Sequence, residues 1–231
     1  MRVGIFTDSH YSSKELTCGV RYNSRSLGKI AEAIKYFNEQ QCDLIICLGD
    51  VTDKENDHKK EKANLKSISE VFEESTVPIF ALMGNHDAFC FGVDEFYEIL
   101  GEKYRPENVY GKVNLIFLDT CYFKSGEHYK QGDYDWEDTF LPDAQKLGDV
   151  LSELLGNSYA FMHHNVDPEI PEDHKLFNCD EVREIFEKHG VKTVFQGHFH
   201  QGNVNEHNGV RYVTCSAMCQ NEKAYGIYEL E

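Results

Sequence analysis

Seven short apolar runs punctuate this chain: VGIF at 3–6, LIICL at 44–48, PIFAL at 78–82, LIFL at 115–118, YAFM at 159–162, KTVF at 192–195 and VRYVT at 210–214. They have strand length and lack alternating polar residues, the pattern of strands buried on both faces. Between the early runs lie helical patterns. The clearest sets Leu27, Ile30, Ala31, Ile34 and Phe37 on one face and Lys29, Glu32 and Lys35 on the other. Further helices are predicted over 59–74, 92–100, 143–155 and 180–189. Strands alternating with helices argue for parallel pairing through right-handed crossovers, hence an α/β fold. A chain of 231 residues without an internal repeat or linker falls in the size range of one such domain, spanning 1–231.

The residues that close these runs carry the chemistry. Asp8 and His10 follow the first, Asp50 the second, Asn85, His86 and Asp87 the third, His163 and His164 the fifth, and His198 and His200 the sixth. In an open α/β sheet the carboxyl ends of neighbouring strands line one crevice, so residues distant in sequence meet there. Carboxylate, imidazole and amide oxygen suit divalent metals of intermediate hardness such as manganese, iron or zinc. Any one of these residues also reads as a turn former or a satisfied core histidine. The ordered set, one group per strand end, points to a common site.

Composition narrows the ligand. Lys plus Arg total 23 against 40 for Asp plus Glu, so the formal charge is 23 − 40 = −17. A field of that sign repels polyanions and argues against a broad nucleic-acid surface, while a metal site that neutralises clustered carboxylates remains compatible. The eight cysteines contain no C-x-x-C and several lie in apolar runs, so free, mostly buried thiols and a reducing cytoplasm are expected. No stretch is long and apolar enough for a membrane span or for a signal-peptide core at the N-terminus. The charge-rich DKENDHKKEK at 53–62 reads as a solvated helix start. The segment 122–140 mixes Gly with aromatic residues, follows neither periodicity, and reads as a long functional loop.

The pieces DSH at 8–10, GD at 49–50, GNHD at 84–87, MHH at 162–164 and GHFH at 197–200 closely resemble the motif blocks of the calcineurin-like metallophosphoesterase superfamily, and span nearly the whole chain. The resemblance implies a four-layer α/β/β/α sandwich of two mixed sheets flanked by helices, with two divalent metal ions (manganese, iron, zinc or a mixture). It further implies that Asp8, His10, Asp50 and His200 hold one metal, and Asp50, Asn85, His163 and His198 the other. Asp50 is then the bridge, with metals about 3.5–4 Å apart and a shared hydroxide attacking phosphorus. His86 would stabilise charge or protonate the leaving oxygen, and Asp87 would orient its imidazole. Family members place the ligand at the first His of HH, which favours His163 and leaves His164 to a phosphate or to packing. The usual Pro after that motif is absent, since the sequence runs MHHNVDP.

The substrate implied is a small phosphoester or a nucleotide. Serine/threonine protein phosphatases of this superfamily carry G-D-x-x-D-R-G and G-N-H-E; here GDVTDKE lacks the Arg and the second motif ends in Asp. The compact form resembles the class III cyclic nucleotide phosphodiesterases and the manganese-dependent ADP-ribose/CDP-alcohol pyrophosphatases. In the latter an Arg-Tyr pair precedes a helix, as in RYNSRSLGK from position 21. Arg21 or Arg25 is a candidate grip on a second phosphate, with Tyr11, Tyr22, Tyr129 or Trp136 stacking a base; alternatively Arg21 is solvated and Ser24 caps the helix. Other readings are a phosphomonoesterase or protein phosphatase, and a scaffold that binds proteins. The scaffolds of this superfamily are marked by lost ligands, and none is lost here.

Overall fold

The computed structural model describes residues 1–133 and 138–231. Two sheets stack face to face. The first contains β1 (Arg2–Phe6), β2 (Leu44–Cys47), β3 (Ile79–Ala81) and β11 (Tyr225–Glu229) in the order β11-β1-β2-β3, with β11 antiparallel and the rest parallel. The second contains β4 (Val113–Leu118), β7 (Asn157–Met162), β8 (Thr193–Gln196), β9 (Asn203–His207) and β10 (Val210–Thr214) in the order β4-β7-β8-β10-β9, with only β9 antiparallel.

Helices α1 (Ser26–Glu39), α2 (His58–Phe72) and α4 (Val93–Leu100) cover the first sheet, and α5 (Ala144–Glu153) and α6 (Cys179–Lys188) the second. Successive strand residues face opposite ways. Ile45 and Cys47 pack under the helices, while Leu44 and Ile46 pack between the sheets with Phe161, Phe195 and Val213. Three apolar layers thus separate four structural ones, the α/β/β/α sandwich expected. Double-sided burial explains why the central strands read as unbroken apolar runs.

Two strands of the main sheets escaped the sequence reading. β9 is NVNEH and β11 is YGIYE; both are sheet edges with a solvated side, so neither has an apolar run. The third run leads into a short helix, α3 (Asn85–Cys90), which is not among the helices predicted from periodicity. The segment 122–140 is not wholly loop: β5 (Tyr122–Phe123) pairs with β6 (Thr139–Phe140). Nor is 53–62 wholly solvated, since Asp53 and Glu61 are buried. Asp57, by contrast, caps α2 by accepting from the Lys59 and Lys60 amides.

The carboxyl ends of β1, β2 and β3 meet those of β7 and β8. Asp8 N donates to Gly49 O at 3.0 Å and His10 N to Asp50 O at 2.9 Å, fastening the first two loops. Gly197 N donates to His163 O at 2.9 Å in the other sheet. Across the sheets, His198 N donates to Asp8 Oδ2 at 3.0 Å.

Candidate metal centre

Asp8, His10, Asp50 and His198 all adopt positive φ (51°, 44°, 51° and 64°), a conformation that side-chain-bearing residues avoid unless surroundings impose it. The cross-loop bonds above supply that constraint and turn the side chains into the crevice. Two glycines make the approach possible. A Cβ on Gly84 would lie 2.1 Å from Asp50 Oδ1, and one on Gly197 would lie 2.3 Å from Thr7 Oγ1 and 2.8 Å from Asp8 Oδ2.

Asp8 and Asp50 are buried, and imidazoles converge on them. Asp8 Oδ2 accepts from Thr7 Oγ1 at 2.6 Å, whereas Oδ1 is buried with no hydrogen-bond partner. His200 Nε2 lies 3.3 Å and His10 Nε2 3.6 Å from that oxygen. The two Nε2 atoms are 3.1 Å apart. Asp50 Oδ2 has His10 Nε2 at 3.5 Å and His163 Nε2 at 3.4 Å, and His163 Nε2 is also 3.2 Å from Asn85 Oδ1. Nitrogens and oxygens thus gather around two adjacent points at separations that satisfy few hydrogen bonds, which suits cations between them.

Outer contacts set the tautomers. His163 Nδ1–H donates to Leu48 O at 2.9 Å, leaving the Nε2 lone pair facing Asp50. At His200 the outer contact runs the other way: the Gln220 Nε2 amide donates to Nδ1 at 2.7 Å and fixes the ring's orientation. Where the usual Pro is missing, Asn165 ties the sheet ends together, donating to Gly197 O at 2.8 Å and accepting from Thr214 Oγ1 at 2.7 Å.

Electrostatics follow from burial and crowding. Burial would raise the Asp8 carboxyl, yet His10 and His200 hold it well below the usual carboxylate range. Asp50 behaves likewise through His163, His86 and His10. Burial and the neighbouring His86 push His10 down to about 4. His163 rises to about 9, because the Asp50 charge outweighs burial.

His86 faces the same crevice. Its amide donates to Asp50 Oδ1 at 2.8 Å, its Nδ1 pairs with Asp53 Oδ1 at 2.8 Å, and its Nε2 lies 3.3 Å from Arg21 Nη1. Asp53, not Asp87, therefore orients the imidazole, a correction to the sequence reading. Asp87 faces away: its carboxylate accepts from the amides of Val51, Thr52 and Gly84 and from Thr52 Oγ1, bracing the two motif loops against each other. Burial and the Asp50 charge push Asp87 up to about 6 despite those bonds. Asp53 stands three residues after Asp50 inside a charge-rich run, so its type was visible and its inward direction was not.

A cleft of about 450 Å³ opens over these groups, lined by Arg21, Asp50, Asn85, His86, His198 and His200 together with Val20, His174, Phe199, Gln201 and Gln220. Other expected contacts lie elsewhere. His164 is fully buried, its Nδ1 on Thr120 Oγ1 at 2.8 Å; it is absent from the cleft lining, and its ring stands with those of His163 and His198. Arg25 is exposed and stacks on Tyr22 at 4.7 Å, away from the cleft lining. Ser24 makes no helix cap. Tyr129 is buried in the core beneath the first sheet's helices, and Tyr11 packs on the edge of the same core. Trp136 lies outside the described residues, and among the described residues of 122–140 none lines the cleft.

The profile of the calcineurin-like phosphoesterases matches residues 1–202. The chain belongs to this family. It is 24% identical over 231 residues to a protein of Psychrobacter arcticus named "probable cyclic nucleotide phosphodiesterase", covering 95% of this chain and 76% of that one. It is also 24% identical over 204 residues to a rat protein named serine/threonine-protein phosphatase CPPED1, covering 82% and 63%. A dimetal phosphatase from Danio rerio shares the fold at TM-score 0.81 and 15% identity, covering 98% of this chain and 91% of that one. The calcineurin-like family works with divalent metal ions, and the cluster above supplies candidate ligands, with donor atoms of Asp8, Asp50 and His163 within 4.8 Å of one another.

Proposed function

We propose that residues 1–231 form one catalytic domain that hydrolyses a small phosphodiester or nucleotide pyrophosphate. Asp8, His10, Asp50 and His200 would hold one divalent ion, and Asp50, Asn85, His163 and His198 a second, with Asp50 shared. Manganese, iron and zinc all suit this donor set. When bound, the ions supply Lewis acidity that ionises water near neutral pH and offsets phosphoryl charge. The observation that carries this reading is that the buried carboxylate–imidazole cluster and His86 open on the same cleft.

The chain's own groups do the rest. Asp53 holds His86 by Nδ1, leaving Nε2 on the cleft side, where it faces Arg21 Nη1 at 3.3 Å. With the guanidinium drawn to a phosphoryl oxygen and the ring doubly protonated, Nε2–H would hand its proton to the leaving oxygen. Arg21, beside that nitrogen, is within reach of a phosphoryl oxygen in the same space. Asp87 acts at one remove by fixing the loops that carry Asp50 and Asn85. The eight free cysteines are consistent with a reducing cytoplasmic setting. Among the described residues no helix is long and apolar enough to cross a membrane.

The rat relative's name favours a second reading, a protein phosphatase. The deciding experiment is hydrolysis by manganese-loaded protein of bis(p-nitrophenyl) phosphate, cyclic nucleotides, ADP-ribose and a phosphoserine peptide, with Asp50→Ala alongside. Turnover of diesters or of ADP-ribose, abolished in the variant together with metal retention, is expected. Efficient turnover of the phosphopeptide alone would overturn the first reading in favour of the second.

A further inference from the structure

The cleft is larger than a phosphoryl group requires, and its outer wall has a chemistry the reaction does not use. Thr17 and Arg21 pair across a tight turn whose central residues, Cys18 and Gly19, both have positive φ (50° and 71°). This turn presents Val20, half exposed, to the cleft. It is not a loose loop. Thr17 Oγ1 donates to Asn23 Oδ1 at 2.8 Å, and the buried Asn23 amide donates to Asp53 Oδ2 at 2.8 Å and to His10 O at 2.7 Å. Val20 is therefore held in register with the Asp53–His86 pair. From the second sheet, Phe199 enters between His198 and His200, with its ring 5.1 Å from that of His174. Apolar surface left in water beside a catalytic cleft is stabilised by a ligand that covers it.

The charge of the lining is as informative as its apolar part. Among the described residues, Arg21 is the one Lys or Arg in the cleft, and it sits against His86, where the reacting phosphoryl belongs. Arg25, the other candidate for a second phosphate, is turned away on Tyr22. A pyrophosphate would thus bring a second phosphoryl group into a chain of net charge −17 without a side-chain cation to meet it.

Building on the phosphoesterase reading, we infer that Val20 and Phe199 form a subsite for the apolar or aromatic alcohol group of a phosphodiester carrying a single negative charge. They determine specificity and take no part in proton transfer. The test compares bis(p-nitrophenyl) phosphate, p-nitrophenyl methyl phosphate and ADP-ribose on the manganese-loaded wild type, Val20→Ser and Phe199→Ala. The two diesters share a leaving group and a charge, and the added intrinsic reactivity of the second aryl group is common to wild type and variants, so a change in their ratio reads the subsite.

Either substitution is expected to lower the aryl-to-methyl ratio of kcat/KM about 10-fold, chiefly through KM, the scale of a lost apolar contact. Calorimetry should report a matching loss of affinity for diphenyl phosphate with dimethyl phosphate unaffected, while metal content and melting temperature hold. Turnover of both diesters with an unchanged ratio in both variants overturns the subsite and spares the phosphoesterase reading. So does a wild-type kcat/KM for ADP-ribose above that for both diesters. Failure to hydrolyse any probe overturns the parent reading, and the subsite with it.

Discussion

At the scale of single residues, the site rests on which carboxylate touches which imidazole. Asp50 and Asp53 face the crevice from one loop, whereas Asp87 is spent on backbone amides. His86→Ala is therefore expected to slow hydrolysis of esters with poor leaving groups by about 10² to 10⁴ fold, and p-nitrophenolate esters less. Asp53→Asn keeps a hydrogen-bond partner but removes the charge, and should show the same leaving-group pattern at a smaller size. Steady-state kinetics across a leaving-group series checks both. Equal losses for every leaving group would mean that His86 stabilises charge and transfers no proton. Because the Arg21 guanidinium lies against His86, Arg21→Ala should lower diester turnover and ADP-ribose turnover together, and not the pyrophosphate alone.

At the scale of elements, strand ends and their glycines decide whether the donors can meet. Gly84 has an ordinary φ of −103°, so its requirement is purely one of space. In Gly84→Ala the new methyl group would overlap Asp50 Oδ1 and the Asp50 amide nitrogen. The variant should lose about 1–3 kcal/mol, the usual cost of overpacking, together with metal affinity. Chemical denaturation and metal analysis of one preparation measure the two. The segment after β4 offers a pH-dependent test. His128 Nδ1 faces Tyr129 O at 2.9 Å and Nε2 faces Asp119 Oδ2 at 3.1 Å, two acceptors that only the doubly protonated ring satisfies. Burial lowers its pKa, but Asp119 more than compensates and the net shift is upward. A raised pKa stabilises fully below the ordinary histidine value of about 6.5 and loses that contribution as pH rises through the folded value. His128→Asn should therefore cost more stability at pH 6 than at pH 9 in urea titrations; an equal cost at both would refute the ion pair.

At the scale of the whole molecule, two sheets each supply half of one candidate site, so bound metal would link them. Removing divalent ions leaves Asp8 and Asp50 buried side by side. Ions held at about 100 times their dissociation constant add about 2.7 kcal/mol. In a chain of this size each kcal/mol shifts the melting temperature by roughly 2–4 °C. Chelation should thus lower the melting temperature by about 5–10 °C, restored by manganese or zinc and not by magnesium alone. A melting curve indifferent to chelator would refute coupling between ions and fold.

The sequence by itself determined the α/β class, the central strands and helices, and the residue types at each strand end. Those properties are written in local periodicity and in short motifs whose spacing is set by a single turn. Only the tertiary structure decided the rest. Edge strands β9 and β11 owe their form to neighbouring strands, which supply hydrogen bonds that no apolar run announces. The choice of Asp53 over Asp87 depends on which way two backbone loops turn, and the orientation of His164 on a hydrogen bond with Thr120, 44 positions away. Arg21 and Arg25 are four residues apart, yet one lines the cleft and the other stacks outside it. Direction of that kind comes from long-range packing, and local sequence carries little of it.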